Sequence, residues 1–371
     1  MLSRIKLLTV LILSFSLFSC GEFIGFDDFT DPDVGNVKKI KVYFSEENME
    51  RFYDSVSPPE EDHTPCRITV NNGVNVEGTM RVRGNTSRRY PKKNFTLRIK
   101  EGMHEGNYAL MHEDFTWLKN RIVMYAYNNF MYKGEALVPA PETEAVALYI
   151  NDKYIGYYAK VDMYSQEQLE AWKSGFMSEL FKIELLGYEE NPLRSNSERK
   201  FPDNDDFSSL ETLIVNTNYM PDAQWNEWVE SYIDVDNFIR YMVVHDFFAV
   251  GDTANWNYYL YNYGKMVFLP WDNELGMELN SGRIYGDGKI QRRILTVPSV
   301  RTAYKQAMTD LADDTAFLNE LKAQVDKWYD EAFLAVKNDP SYRYTEKDFT
   351  NMKNYIKYFI SNRGDIVKGL L

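Results

Sequence analysis

The first half of the chain, up to about residue 163, is dominated by short segments in which apolar and polar residues alternate. A period of two is typical of strands that bury one face. Strands are therefore predicted over residues 38–45, 66–84, 93–100 and 143–163. Asn72-Gly73 and Asn151-Asp152 are the residue pairs at which two of these segments are expected to turn as hairpins.

Beyond residue 163 the apolar positions recur every three or four residues, which is the period of an amphipathic helix. Ser165, followed three residues later by Gln168, resembles a capping box and predicts a helix start in SQEQLEAWKSGFMSELF. A polar stretch, 188–206, is interpreted as a surface loop. Helices are predicted over 116–134, ending on Gly134, over 234–250, and over most of the chain from residue 300.

The order of these elements indicates an α+β protein of two lobes. A β-rich N-lobe is predicted over residues 37–163 and a mainly helical C-lobe over 164–371. No internal repeat is apparent, so a solenoid is not expected.

The first 36 residues have the pattern of an export signal followed by a tether. Residues 1–19 contain Arg4, Lys6 and then an apolar run too short to span a bilayer, which is typical of a signal peptide. LFSC resembles a bacterial lipobox, which makes Cys20 the expected lipid attachment site, although an ordinary signal peptide with an incidental cysteine stays open. Residues 20–36 are interpreted as a lipidated cysteine and acidic tether that anchor an exported protein to a membrane.

Composition narrows the class of protein further. The formal charge of −13 becomes −15 when Arg4 and Lys6 are removed with the signal, which argues against nucleic acid as a partner. If Cys20 is lipidated, only Cys66 remains, so an intramolecular disulfide is not expected. Aromatic residues make up 15% of the chain, which favours a packed globular protein.

Acidic and amide residues flank one predicted hairpin of the C-lobe. Its strands are NYYLYN and MVFLPWD, so Asn257 and Asp272 should face each other at its open end, with Asp252 just before it and Glu274 just after. Oxygen ligands of this kind suit Mg²⁺ or Mn²⁺. An Asp followed five residues later by an Asn, then a hairpin and a second Asp, is also the layout of protein-kinase catalytic residues. The alternative is that these residues form turns and caps, as Asn255 is expected to do.

A basic segment in the predicted N-lobe, residues 80–100, could serve as the matching phosphate site. It contains eight Lys or Arg residues and no acid. Gly84, Asn85, Thr86 and Ser87 at its centre could turn backbone N–H groups and hydroxyls toward an anion. A solvated basic loop is the equally open alternative. The segment is neither a Walker A motif nor the glycine-rich loop of ordinary kinases.

Together these segments resemble the CotH kinase family. The similar stretches are MRVRGNTSRRYPKKNFTLRIK, VALYINDKYIGYYAKVD, NWNYYLYNYGKMVFLPWDNELG and the closing YFISNRGDIVKGLL, in that order. The resemblance implies a bilobal atypical protein-kinase-like fold. It also implies transfer of the γ-phosphoryl group of ATP to Ser or Thr of an exported or envelope protein, with Mg²⁺ or Mn²⁺.

The resemblance also assigns roles to individual residues. Asp252 becomes the candidate catalytic base, and Asp272, Asn257 and Glu274 the candidate metal ligands. The expected nucleotide-binding residues are Arg83, Gly84, Asn85, Ser87 and Lys93. Lys92 is a close rival of Lys93 for the cation that pairs with phosphate.

This sequence departs from the family pattern at several positions. Asp162 stands where the family hairpin has Glu, Asp152 replaces its turn Gly, and Glu274 replaces an Asp. No Glu is evident on the 116–134 helix to pair with the lysine, and His245-Asp246 could compete for the base role, although Asp246 is interpreted as structural.

The protein is expected to be lipid-anchored in a bacterial cell envelope, on the periplasmic or outer-membrane surface. Because ATP is scarce outside the cytoplasm, two alternatives to a kinase stay open. One is a non-catalytic binding or adhesion module with a pseudokinase-like fold. The other is a glycoside hydrolase that uses two carboxylates beside an aromatic platform, which would leave the basic segment unexplained.

Overall fold

The computed structural model describes residues 31–54, 63–84, 87, 90–112, 117–136, 139–183, 197–251, 257–286, 288–341 and 345–371. Residues 33–371 form one compact unit. The predicted signal peptide, Cys20 and most of the tether lie outside the described residues. In the part of the chain that is described, no helix has the length and apolar character needed to cross a membrane.

The strands form a barrel, a second sheet and a small ribbon. In chain order they are β1 Lys38–Tyr43, β2 Thr64–Val70, β3 Val76–Arg83, β4 Asn94–Ile99, β5 Gly106–Met111, β6 Met131–Tyr132, β7 Glu135–Ala136, β8 Thr143–Ile150, β9 Lys153–Asp162, β10 Glu179–Ile183, β11 Ser197–Phe201, β12 Tyr258–Asn262 and β13 Met266–Pro270. The barrel has the order β1-β2-β3-β4-β5-β9-β8 and closes through parallel pairing of β1 with β8. The second sheet has the order β11-β10-β12-β13.

Helices occur before, between and after the sheets and dominate the C-terminal half. In chain order they are α1 Glu46–Asp54, α2 Trp117–Asn129, α3 Gln166–Trp172, α4 Ser208–Tyr219, α5 Asp222–Tyr232, α6 Val235–Phe247, α7 Lys289–Ile294, α8 Pro298–Asp313, α9 Thr315–Lys337 and α10 Glu346–Leu370. The predicted mixture of a β-rich first part and a helical second part is thus confirmed.

The barrel interior follows the alternation read from the sequence. Along β8, Val146 and Leu148 point into the barrel core, whereas Ala145 and Ala147 belong to the core outside it. Because both faces of β8 are buried, its sequence is a nearly continuous apolar run. The hairpin to β9 turns at Asn151-Asp152, as predicted, with φ of 47° and 62°, the left-handed conformation that a two-residue turn of this type needs.

The hairpin between β2 and β3 has a longer tip than predicted. Its strands end at Val70 and begin at Val76, so Asn72-Gly73 is not a two-residue turn. The reason is that Asn71 is bound to β1: its N–H donates to the Lys39 carbonyl at 2.7 Å, and its Oδ1 accepts the Lys39 N–H at 2.9 Å.

Helix α2 ends at Asn129, before the predicted Gly134. The side-chain amide of Asn128 donates to the Ala140 carbonyl at 3.0 Å and accepts the Ala140 N–H at 2.8 Å. Amide side chains that bind other backbone groups compete with helix continuation. Gly134 lies in the turn of the β6–β7 ribbon, where its φ is 75°.

Two further predictions in the C-terminal half were wrong in detail. The helix capped by Ser165, whose side chain accepts the Gln168 N–H, ends at Trp172, and residues 179–183 form β10. Part of the expected loop at 188–206 is strand β11.

A buried ion pair explains why these polar-looking segments are strands. Arg199 on β11 contacts Glu179 on β10 at 2.7 Å, and the two side chains are 5% and 6% exposed. Ser209 and Asn262 also donate to the Glu179 carboxylate, at 2.7 Å and 2.8 Å. Arg199, a charged residue of the predicted surface loop, is therefore neutralised inside the fold.

We expect Glu179→Ala to lower the free energy of unfolding by about 3–5 kcal/mol, because it leaves the Arg199 guanidinium buried without its counter-charge. Urea unfolding followed by circular dichroism measures the change. Glu227→Ala, at an exposed position of α5, is the matched control and should change the free energy of unfolding by less than about 0.5 kcal/mol. Equal effects of the two substitutions would contradict the role of the buried pair.

Candidate functional site

The predicted hairpin of the C-terminal half is present and presents its polar residues at one end. Strands β12 and β13 pair from Asn262 with Met266 at the closed end to Tyr258 with Pro270 at the open end. Asn257 directly precedes β12, and Asp272 follows β13 by two residues. Both have positive φ, 59° and 57°, so the backbone bends sharply where these side chains leave the sheet.

The segment that leads to Asp252 lies against the segment that carries Glu274. The Gly251 N–H donates to the carbonyl of Leu275, and the Met277 N–H donates to the carbonyl of Phe248 at 2.8 Å. Asp252 itself lies outside the described residues. Gly251, the chain neighbour of Asp252, is thus hydrogen-bonded to Leu275, the chain neighbour of Glu274.

A buried arginine binds the backbone on both of these segments. Arg363 on α10 is fully buried and donates to the carbonyls of Phe247 at 3.0 Å, Asp246 at 3.2 Å, Leu279 at 2.9 Å and Ser281 at 2.7 Å. Helix α6 ends at Phe247, so this guanidinium ties the end of that helix to the chain after Glu274.

The Asp246 carboxylate is also bound by structural partners. It accepts the Tyr304 hydroxyl at 2.6 Å and the Gly286 N–H at 3.2 Å, and its other oxygen contacts His245 Nδ1 at 2.9 Å. Asp246 is only 2% exposed. This environment supports the interpretation of Asp246 as structural rather than as a rival base.

Helix α2 contributes two positioning residues that sequence reasoning missed. Asn120 Oδ1 accepts the Asn273 N–H at 3.1 Å, and Lys119 Nζ donates to the Gly276 carbonyl at 3.1 Å. Burial lowers the pKa of Lys119. The helix on which no glutamate was found therefore holds the Asp272–Glu274 segment through its backbone. The sequence signal that could have identified Lys119 and Asn120 was the presence of two polar residues near the start of a mostly apolar helix.

The end of the basic segment reaches this hairpin from the barrel. The Arg83 guanidinium carbon lies 5.5 Å from the centroid of the Trp271 ring, a cation–π geometry. Trp271 directly precedes Asp272, so β3 of the barrel and the metal-ligand candidate are adjacent. Gly84 has a φ of 99°, and a Cβ there would overlap Ser87 Oγ. Asn85 lies outside the described residues.

The structure separates the two rival lysines. Lys92 Nζ contacts Asp339 Oδ2 at 2.5 Å and the Tyr157 carbonyl at 2.6 Å, and it lies 4.6 Å from the Tyr158 ring centroid. Lys92 therefore joins the barrel to the segment after α9. Lys93 is half-buried, and burial lowers its pKa. Lys93 stays the predicted phosphate cation.

The oxygen ligands offered by the described residues are Asn257, Asp272 and Glu274, all half-buried. Within the described ranges, no group of three or more His, Cys, Asp or Glu side chains is close enough to hold a metal ion. A Mg²⁺ site built here would therefore combine two carboxylates, an amide, water and substrate phosphates, which is the usual arrangement for this ion.

A cavity of about 430 Å³ lies away from these residues. Its lining includes Asp234, Lys133 and Glu230. Asp234 caps α6 and binds Lys173 and the Tyr263 hydroxyl, and although burial alone would raise the pKa of Asp234, these bonds lower it. The carboxylate thus has structural partners, and none of the predicted site residues lines this cavity.

Comparisons with known proteins agree with the segment matches described above. Residues 80–367 match the sequence profile of the family described as CotH kinase protein. The chain is similar to the inner spore coat protein H of Bacillus subtilis (strain 168), with 20% identity over 336 residues, which cover 83% of this chain and 91% of that protein. A solved structure of the complete CtTel1 dimer with C2 symmetry matches with a TM-score of 0.32 and 10% identity, over 83% of this chain and 12% of that chain.

We expect Gly251→Ala to lower the stability of the protein and to weaken metal binding, because a Cβ there would lie 2.8 Å from the Leu275 carbonyl oxygen. The two segments would have to move apart, at a cost of about 1–3 kcal/mol. Thermal unfolding measures the stability, and Mn²⁺ titration by calorimetry measures metal binding. Gly282→Ala is the control, since its Cβ would meet nothing within 4 Å. An unchanged Gly251→Ala protein would contradict the close pairing of the two segments.

Proposed function

This chain belongs to the CotH kinase protein family, and we propose that it is an exported, lipid-anchored protein kinase that transfers the γ-phosphoryl group of ATP to Ser or Thr of an envelope protein. Family membership supports the kinase-like character. The lipid anchor rests on Cys20 and its signal-like flank. The similarity to a spore coat protein agrees with an exported or surface location.

One observation carries the catalytic part of the proposal: Arg83 lies over Trp271, the residue directly before Asp272. This contact brings the basic end of the barrel to the acidic end of the hairpin. Phosphoryl transfer needs such a pairing, because cations and metal must neutralise charge on the same phosphate oxygens. An adhesion module or a carboxylate-pair hydrolase has no need of it.

In the proposed site, Asp272, Asn257 and Glu274 would hold Mg²⁺ or Mn²⁺, which would supply positive charge to polarise the nucleotide phosphates. We assign binding of these phosphates to Arg83, Gly84, Ser87 and Lys93, and also to Asn85, which lies outside the described residues. The lowered pKa of Lys93 reflects a partly desolvated ammonium, whose attraction for phosphate is less screened by water.

Asp252 is the proposed base, which accepts the proton of the acceptor hydroxyl as its oxygen attacks the γ-phosphorus. The leaving group is ADP. The hydrogen bond of Gly251 with Leu275 would keep the base close to the metal ligands, while Asn120 and Lys119 hold the metal-ligand segment from the other side.

We expect Asp272→Asn and Asp252→Asn each to reduce label transfer from γ-labelled ATP by about 10²-fold or more. The first substitution removes the negative charge of a proposed metal ligand, and the second removes the proposed base. The full chain is purified in detergent and incubated with Mg²⁺ or Mn²⁺ and a Ser/Thr peptide library. Chelation of the metal should abolish transfer.

Asp310→Asn, on an exposed position of α8, is the control and should retain activity. Transfer that persists in both site variants would show that the residues are misassigned. Absence of ATP binding and transfer by the unsubstituted protein would overturn the kinase proposal and favour a binding module.

A further inference from the structure

Two neighbouring hairpins of the barrel carry exposed apolar residues at their tips. Val74 lies in the tip between β2 and β3 and is 83% exposed, and Met103 lies in the tip between β4 and β5 and is 97% exposed. Single exposed apolar residues are common on protein surfaces and need no explanation. Two of them at one place can form an interaction surface, which makes the relation between the tips important.

The two tips adjoin each other at one end of the barrel. Strands β3 and β4 pair antiparallel, so β3 begins at the end where β4 finishes. The Lys100 N–H donates to the Glu77 carbonyl at 3.1 Å, which extends this pairing toward the tips. A Cβ on Gly102 would lie 3.7 Å from Val76 Cγ1. Gly102 directly precedes the exposed methionine and Val76 follows the exposed valine by two residues, so both apolar side chains belong to one surface.

Hydrogen bonds hold both tips in a defined shape. In the first tip, the Gly73 N–H donates to the Val70 carbonyl at 3.0 Å. In the second tip, the Tyr108 hydroxyl donates to the His104 carbonyl at 2.9 Å. A preformed surface loses little conformational entropy when it binds a partner. The two apolar side chains are therefore held in water on backbone that is already ordered.

The first strand of the barrel lies beside these tips. Asn71, the first residue after β2, binds the backbone of Lys39 in β1 through the two hydrogen bonds described above. The chain reaches β1 from the predicted lipid attachment site, and Asp33, where the folded unit begins, follows Cys20 by thirteen residues. A segment of that length spans at most about 45 Å. A lipid on Cys20 would therefore keep the barrel within reach of the membrane surface.

The composition of the tips fits the interface of a membrane. Residues 71–75 have no charged side chain, and Met103 is flanked by the acids Glu101 and Glu105, so the tips offer apolar contact rather than attraction to anions. An apolar side chain can enter the boundary between headgroups and acyl chains while its polar neighbours stay in water. Because a tether raises the effective concentration of the membrane, even a weak contact of this kind is populated.

The candidate site lies toward the other end of the same strand. Strand β3 begins at Val76 beside the tips and ends seven residues later at Arg83, which contacts Trp271. A strand of this length spans about 23 Å. A membrane in contact with the tips would therefore leave the Arg83 end of β3 accessible to nucleotide and to other proteins.

We propose that Val74 and Met103 form a membrane-docking surface, and that its partner is the lipid bilayer to which the chain is anchored. The inference rests on the lipid anchor of the proposed function, and it is independent of the kinase activity. It assigns one end of β3 to the membrane and the other end to the candidate site.

The test places an environment-sensitive fluorophore on Met103→Cys in the full chain, reconstituted into phosphatidylcholine vesicles whose acyl chains carry a nitroxide quencher. Burial raises the pKa of the Cys66 thiol to about 12, so labelling favours the introduced cysteine. We expect a blue shift and strong quenching, because the fluorophore would lie among lipids. Glu227→Cys, at an exposed position of α5, carries the same fluorophore as the control and should show neither change.

Val74→Asp, introduced into the labelled Met103→Cys protein, should lower the equilibrium constant for docking about tenfold, because it puts a charge in place of an apolar side chain that enters the lipid. The quenched fraction of the fluorophore measures this constant. Val215→Asp is the matched control, since it makes the same change at an exposed valine of α4 and should leave quenching unaltered. Circular dichroism of every variant checks that folding is intact.

Two results would overturn the docking surface. One is equal quenching at positions 103 and 227, or quenching at position 103 that Val74→Asp does not reduce. The other is a blue shift that grows with protein concentration in the absence of vesicles, which would assign the tips to a second copy of the chain.

The lipid anchor is tested separately by mass spectrometry of the N-terminal peptide. If Cys20 carries no acyl chain, the anchor of the proposed function fails. Quenching at position 103 by added vesicles would then still support the docking surface, and its absence would overturn it. The phosphoryl-transfer assay described above decides the kinase proposal whichever result the fluorophore gives.

Discussion

The arrangement of the site depends on one hydrophobic core that the barrel shares with the helices. Apolar residues on the outer faces of β5, β8 and β9, such as Met111, Ala147 and Val161, belong to the same cluster as residues of α2, α6 and α9. The barrel interior is a separate core. Because close-packed interiors transmit displacement, the barrel cannot move far against the helices without opening the shared core. The position of Arg83 over Trp271 is therefore set by packing at some distance from the site.

Polar contacts at the edges of this core orient the two halves further. Lys92 and the Tyr157 N–H both bind Asp339, which follows α9, and the Tyr154 hydroxyl donates to the Ala335 carbonyl at 2.7 Å. The Asp339 side chain is only 5% exposed, so its contact with Lys92 is little screened by water. These bonds join β9 to α9 and the segment that follows it.

The candidate site is built from loops whose backbone is held by side chains of helices. Asn120 and Lys119 of α2 bind backbone groups within and just after the Asp272–Glu274 segment, and Arg363 of α10 binds carbonyls of the later residues Leu279 and Ser281 and of the end of α6. Loops held in this way keep polar side chains in place without a regular strand or helix beneath them. These bonds support Asp272 at positive φ, a conformation that costs energy for residues other than glycine. Asn257, also at positive φ, is held by the bond from its N–H to the Ile183 carbonyl at 3.0 Å.

The parts predicted well were those governed by local pattern. Alternation predicted six of the seven barrel strands but not β5, and Asn151-Asp152 predicted a turn, since a two-residue hairpin demands left-handed residues. The predicted pairing of NYYLYN with MVFLPWD is present, and the segment matches predicted the family that the profile shows. Strands β10 and β11 were not predicted: the first begins inside the segment that was predicted as a helix, and the second carries charged residues such as Arg199 that indicated a surface loop until the fold pairs Arg199 with Glu179.

The sequence by itself determined the secondary structure of most strands and helices, the acidic and basic segments, and the family, because each of these is encoded in neighbouring residues. Only the tertiary structure decided that Lys92 binds Asp339, that Asp246 binds Tyr304, and that Arg83 lies over Trp271. These pairings join residues far apart in the chain. Their geometry follows from how the barrel and the helices pack around the shared core, which no local pattern records.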